Sequence, residues 1–300
     1  MGGFESSKAS GRPVTFEKIG RAFHLKDAAP DEFVLALDAA SRDPDVYCVV
    51  HDGPSGGRLA DGPTGADAAR AIWRIDRFGK PFVSVLQGAV PWERFAYAIN
   101  GTHKVADPEM TISFGGVASG QVPAFGASYH LPALPRNLGL YLALTGSALD
   151  SALAYSVGWL THRIPSSRFE GIKAALATAE PVDAVLDELD LGPGASPLEP
   201  RLDVIERCFS AASPKAILAS LDATAGANAD WARQCASAMR AVPERTLDAT
   251  HTLLTAHAQS TLRQSLWLEA RIATGNPDVL APVPLAGDLE LPDPAPPSIG

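Results

Sequence analysis

Trp92-Glu93-Arg94 sets a carboxylate and a guanidinium side by side at the start of a helical stretch, Trp92 to Ile99. A carboxylate held there can move a proton in acid/base chemistry. Alternatively it is an exposed first-turn residue favoured by the helix dipole. Arg94 and Arg58 each present a planar fork of donors that fits a carboxylate or a phosphate. The competing reading for each is a solvated or salt-bridged side chain. His51-Asp52 closes an apolar run beside the loop Gly53-Pro54-Ser55-Gly56-Gly57. A histidine there can act as acid or base with a carboxylate partner, but adjacent strand residues point to opposite faces. Tyr129 and His130 follow Gly126 and are expected either to line a pocket or to pack in the core.

Several chemistries have no support. There is no G-x-S-x-G for a serine nucleophile and no G-x-G-x-x-G for a dinucleotide. Cys48, Cys208 and Cys235 are widely spaced and form no CxxC pair, so neither a disulfide framework nor a zinc site is expected. His251 and His257 lie six apart on a helix and do not share a face. His103 and Asp107 flank a strand and read as surface residues. No metal or separate cofactor is expected. The net charge of -9 and pI near 5.2 argue against a nucleic-acid partner. No apolar run approaches the ~20 residues needed to cross a bilayer, and Met1 to Lys8 lacks a signal-peptide pattern. A cytoplasmic location is the expectation.

The elements that must position these residues alternate. Asp31 to Ala40 has helical spacing, and Val46 to Val50 is a short apolar run typical of a strand buried on both faces. One further strand is expected within 14–24. Ala66 to Phe78 is helical, Phe82 to Leu86 a second buried strand, and Lys104 to Ala106 and Met110 to Phe114 two more. Such alternation predicts an α/β architecture. Beyond about residue 126 helices dominate: 138–144, 151–157, 170–179, 202–209, 214–221, 230–240, 244–257 and 260–274. The expected organisation is a flexible start (1–13), a core (14–190), a linker (191–201), a helical region (202–275) and a proline-rich tail (276–300).

Gly79-Lys80-Pro81-Phe82-Val83-Ser84-Val85-Leu86-Gln87-Gly88 resembles the crotonase strand that opens the second active-site loop. Gly120 to Pro132 resembles the family segment Gly-x-x-Pro-[Asp/Gly]-x-Gly-Gly-[Ser/Gly]-Tyr-Phe-Leu. Ala154 to His162 is similar to the Ala-x-x-x-Gly-Leu-Ala-Thr-His run of the 3-hydroxyisobutyryl-CoA hydrolase branch. Ile205 to Ser210 and Leu262 to Arg271 resemble two helices of that branch. The resemblance covers roughly residues 30–275. It implies a ClpP/crotonase-like ββα superhelix followed by a helical C-terminal region. It also implies an acyl-CoA ligand, with coenzyme A as part of the substrate, and a homo-oligomer, a trimer or hexamer.

In the family two backbone N–H groups stabilise the thioester oxyanion. The resemblance places them at Gly57, in Ser55-Gly56-Gly57-Arg58-Leu59, and at Glu93. Counted from Gly88, the family's three glycines fall on Trp92, Glu93 and Arg94, which should crowd the pocket. The two hydratase glutamates fall on Ala96 and Gly116; the hydrolase branch uses the second of these together with an aspartate, which falls on Ala124. The expected site is therefore a divergent one, with acid/base groups drawn from Glu93, Arg94, His51 and Arg58, and a pocket bounded by Trp92, Tyr129 and His130. The alternative is a non-catalytic homologue that binds a ligand or a partner. An open pocket with converging polar groups favours the enzyme; a pocket plugged by Trp92 favours the other.

Overall fold

The structure, a computed structural model, describes residues 16–26, 30–53, 65–256 and 258–273. Strands β1 (Phe16–Ile19) and β2 (Ala22–Lys26) form an antiparallel hairpin, where one strand was expected across 14–24. The turn needs Gly20 at φ +58, because a Cβ there would lie 2.2 Å from the Ala177 carbonyl oxygen. Helix α1 (Pro30–Arg42) buries Phe33, Ala36, Leu37 and Ala40 on one stripe. Its first turn is acidic and its last basic, which suits the helix dipole. Then come β3 (Cys48–Asp52), α2 (Gly65–Asp76) and β4 (Phe82–Leu86). The strand expected at Val46–Val50 thus lies two residues later.

The next segments form strand–strand–helix units. β4 is followed by β5 (Ala89–Pro91) and α3 (Trp92–Ile99). β6 (His103–Ala106) is followed by β7 (Thr111–Ser113), α4 (Ala127–His130) and α5 (Leu138–Thr145). Only Gln87 and Gly88 separate β4 from β5, and Gly88 takes φ +68 to make that bend. The bend moves the chain from one sheet to another and starts α3 at once. β8 (Ala148–Asp150), α6 (Ser151–Ser156) and β9 (His162–Arg163) complete the sheets. The larger sheet has the order β1-β2-β3-β4-β6-β9, parallel after the first hairpin; the smaller is β5-β7-β8.

The remaining helices are α7 (Phe169–Ala177), α8 (Val182–Asp187), α9 (Leu202–Phe209), α10 (Pro214–Asp222), α11 (Ala229–Arg240), α12 (Glu244–Ala256) and α13 (Leu262–Ala273). One apolar cluster runs from Phe23 on β2 through Phe95 on α3 to Leu266 on α13 and takes in α9 to α12, whereas α7 and α8 pack in a second cluster with Val83 and Val85 of β4. The 191–198 stretch is irregular but tied down: Leu191 N–H donates to Arg163 O at 2.9 Å, and Ser196 Oγ to Asp150 Oδ2 at 2.5 Å. Among the described residues no helix is long and apolar enough to cross a membrane.

Candidate active site

α3 starts directly behind Pro91, whose side chain cannot cap it. The first-turn N–H groups of any helix lack intrahelical acceptors. The residues of this first turn border a cavity of about 800 Å³, bounded by Pro91 to Arg94, by most of the segment 113–125, and by Glu269 and Ile272 of α13. Gly57 and Arg58, the other expected elements of the oxyanion site, lie outside the described residues.

Glu93 reaches across this cavity. A Cβ built on Gly116 would lie 3.3 Å from Glu93 Oε1 and 3.1 Å from Gln121 Oε1. The Glu93 carboxylate therefore occupies the space that a side chain at 116 would fill. That is one of the positions where the resemblance expects a glutamate. No hydrogen bond or ion pair with another described residue engages it.

Arg94 also lines the cavity, and its buried Nε has no acceptor among the described residues. Its charge bears on His51 and Tyr97, which are 3% and 2% exposed. His51 is not among the residues lining the cavity, which corrects its expected acid/base role. Its Nδ1 lies 3.1 Å from Ser84 Oγ, and its ring packs against Phe33 and Phe82. Burial pushes the imidazole down to about 4; Asp52 opposes that and Arg94 adds to it. Asp52 turns away to Lys173 at 2.5 Å, as strand alternation requires.

Trp92 borders the cavity without filling it. Its indole stacks on Phe114 at 5.6 Å and meets Trp159 at 5.6 Å, and Nε1 donates to Ala124 O at 2.7 Å. The expected crowding is thus resolved sideways, into an aromatic cluster. His130 is a correction: it packs behind Trp92, its Nε2 is 3.1 Å from Asn100 Oδ1, and burial lowers it to about 4. Tyr129 is a second correction, because its side chain is 40% exposed and outside the cavity wall. Ala96 is fully buried away from the cavity, whereas Gly116 and Ala124 line it.

The opposite wall holds a residue that sequence reasoning passed over. Phe125 and Gly126 both take left-handed φ, 62° and 81°, and turn the chain into α4. The amides of Gly126 and Ser128 converge on Glu269. Gly126 N–H donates to Oε2 at 2.6 Å, and Ser128 N–H and Oγ–H each donate to Oε1 at 2.7 Å. Burial pushes this carboxyl up to about 7, against the three hydrogen bonds that favour its ionised form. The signal was present in α13: Leu262, Ser265, Leu266 and Glu269 share one buried stripe. A carboxylate on such a stripe requires buried partners. Among the described residues, no three His, Cys, Asp or Glu side chains gather as a metal site.

Residues 36–277 match the model of the enoyl-CoA hydratase/isomerase family. The sequence is 30% identical over 217 residues to 3-hydroxyisobutyryl-CoA hydrolase 1 of Arabidopsis thaliana, covering 64% of this chain and 57% of that one. It is 30% identical over 191 residues to the mitochondrial 3-hydroxyisobutyryl-CoA hydrolase of Xenopus tropicalis, covering 59% and 48%. The chain spans about half the length of the curated relatives it matches. An enoyl-CoA hydratase structure from Rhodobacter sphaeroides superposes with a TM-score of 0.74 at 26% identity, covering 89% of this chain and 87% of that one. A carnitinyl-CoA dehydratase structure from Mycobacterium thermoresistibile gives 0.77 at 22% identity, with the same coverage; at that identity the likeness speaks for the fold.

Proposed function

We propose that this chain, which belongs to the enoyl-CoA hydratase/isomerase family, binds an acyl-CoA or related acyl thioester at the α3 cavity and hydrolyses it with Glu93 as the proton-transferring group. The observation that carries this reading is the Glu93 carboxylate standing in the space above Gly116. It rises from the first turn of α3, which no side chain caps, so a thioester carbonyl held by that turn's amides would lie beside it.

The choice of hydrolysis rests on the hydrolase relatives. The resemblance expects two carboxylates for hydration, at Ala96 and Gly116, and two for hydrolysis, at Gly116 and Ala124, and Glu93 stands over the position common to both. In the proposed step it acts alone. Glu93 takes a proton from water as its oxygen bonds to the carbonyl carbon. The carbonyl electron pair moves to oxygen and is held by backbone N–H groups of the α3 start. When that pair returns, the C–S bond breaks and the thiolate recovers the proton from Glu93. Glu269 lines the same cavity, but its oxygens are already engaged by three donors, so it serves the wall. The similarity to 3-hydroxyisobutyryl-CoA hydrolases supports the same reaction class.

Calorimetry with coenzyme A and short acyl-CoAs, followed by assay of thiol release, tests the reading. Micromolar to sub-millimolar binding with thiol release is the expected result. Binding without turnover would favour a ligand-binding homologue. Absence of binding at millimolar ligand would end the thioester reading.

A further inference from the structure

Side chains from two separate segments meet over Gly116. One is Glu93 from α3. The other is Gln121, and the backbone explains how it gets there. Gln121 N–H donates to Gly116 O at 3.1 Å, and Gly120 takes φ +78, so the chain turns back on itself between them. Gly120 O accepts from Thr246 Oγ1 at 3.3 Å, which ties this turn to α12. The turn folds Gln121 back: its Cβ lies 3.8 Å, and its Oε1 3.1 Å, from the point a Cβ on Gly116 would occupy. Glu93 Oε1 lies 3.3 Å from the same point. Only a residue without a side chain lets both oxygens come so close to one spot.

Both groups line the α3 cavity, and they differ in chemistry. A carboxylate accepts hydrogen bonds and can take up a proton. A carboxamide oxygen accepts a hydrogen bond and stays unprotonated. No hydrogen bond with another described residue engages the Gln121 side chain. Ala124, where the resemblance expects the hydrolase aspartate, lines the same cavity with no polar group to offer. The nucleophilic water of a hydrolysis has two hydrogens. One passes to Glu93 as the water oxygen bonds to the carbonyl carbon. The other stays on that oxygen and ends as the hydroxyl of the acid product. A water held by Glu93 alone can swing about that one hydrogen bond. A second acceptor fixes it and aims its lone pair, which is where orientation gains rate.

We infer that Gln121 positions the hydrolytic water: its Oε1 accepts the hydrogen that the water keeps, while Glu93 removes the other. This rests on the hydrolysis reading above. A neutral amide suits the role, because it leaves Glu93 as the sole base.

The test measures thiol release from acetyl-, butyryl- and succinyl-CoA by the full chain, E93Q, Q121L and Q121E, with binding by calorimetry. Leucine matches the bulk of glutamine and has no acceptor. Q121L should lower kcat about 10–100-fold while leaving thioester binding within about 3-fold. Q121E adds a like charge beside Glu93, which makes the pair harder to ionise. The acid limb of its kcat–pH profile should therefore move to higher pH. A residue that only supports the fold would not move that limb. If Q121L keeps kcat within about 2-fold while E93Q loses its rate, the inference is overturned and the hydrolysis reading stands. The same holds if the loss in Q121L is confined to binding, or if the acid limb of Q121E stays in place. No thiol release by the full chain, or full release by E93Q, removes the reading beneath and the inference with it. Gln121 is exposed, so both substitutions should leave the melting temperature unchanged. Should Q121L fail to fold, the Q121E profile decides.

Discussion

Two helix starts lie near one cavity, and each is associated with a carboxylate. At α4 the amides of Gly126 and Ser128 are closed by Glu269, a residue 143 positions further along from Gly126. At α3 no side chain caps the first turn, and Glu93 projects from it with no partner among the described residues. At α4 the converging N–H groups form an anion site. It is filled by the protein's own carboxylate and becomes structure. The other start carries a carboxylate with no partner among the described residues, and it is the one proposed to serve chemistry. A carboxylate's role here is set by how many of its lone pairs are already engaged.

The largest effect expected from this contrast is on turnover. E93Q should lower thioester hydrolysis by about 10²–10⁴-fold, the usual worth of one acid/base group, while leaving the melting temperature unchanged within error. The double variant E93G/G116E should recover part of the lost rate, because Gly116 has an ordinary φ and its new side chain would enter the space Glu93 vacates. A single-turnover assay of thiol release reads both. Full activity in E93Q would break the comparison.

The next effect is on stability against pH, and the two buried groups act in opposite directions. His51 has a folded value near 4, below its ordinary 6.5. The unfolded chain binds the proton more tightly, so the stability it contributes is present above about 6.5 and lost as pH falls through about 4. At 1.36 kcal/mol per unit this is about 3 kcal/mol. His130 acts in the same sense. Glu269 has a folded value near 7, above its ordinary 4.5. Its contribution is fully present below about 4.5 and lost as pH rises through about 7. Urea titrations from pH 4 to 8 should show H51Q with a flattened acid limb. They should show E269A losing about 1–3 kcal/mol at pH 6, where two buried amides lose their acceptor, together with the decline between pH 4.5 and 7.

Much of this architecture was legible because it is periodic. Phe82–Leu86 and Trp92–Ile99 fall where the sequence pattern predicts them. β5, β8 and β9 were not legible, because two or three residues cannot carry an alternation. α8 follows Pro181 with only six residues and is too short to display a stripe. At the site, Glu93 and Arg94 were visible as chemistry but not as geometry: nothing local says that Glu93 reaches over Gly116, which is 23 residues away. His51, Tyr129 and His130 were misassigned for one reason. Residue type marks a group that can react, whereas only packing says whether anything can reach it. Glu269 is the converse case, a charge on an apolar stripe whose partners lie too far away in sequence to be paired by inspection.

The smallest expected effect concerns how independent the two helix starts are. Trp92 Nε1 donates to Ala124 O at 2.7 Å, two residues before Gly126. Between them Phe125 sits at φ 62, a conformation that costs a non-glycine residue and persists only when its surroundings hold it. The indole thus grips one side of this turn and Glu269 grips the other. W92F keeps the ring stacking and removes only the hydrogen bond, so alone it should cost about 0.5–1.5 kcal/mol. If both grips hold one strained turn, removing either lets the turn relax and devalues the other. The W92F/E269A double variant should then be less destabilised than the sum of the singles, by at least about 0.5 kcal/mol. Strict additivity in urea unfolding would mean that the open and the closed helix starts are built separately. A positive coupling would mean that the closed one, through Trp92, helps to fix the α3 start that carries Glu93.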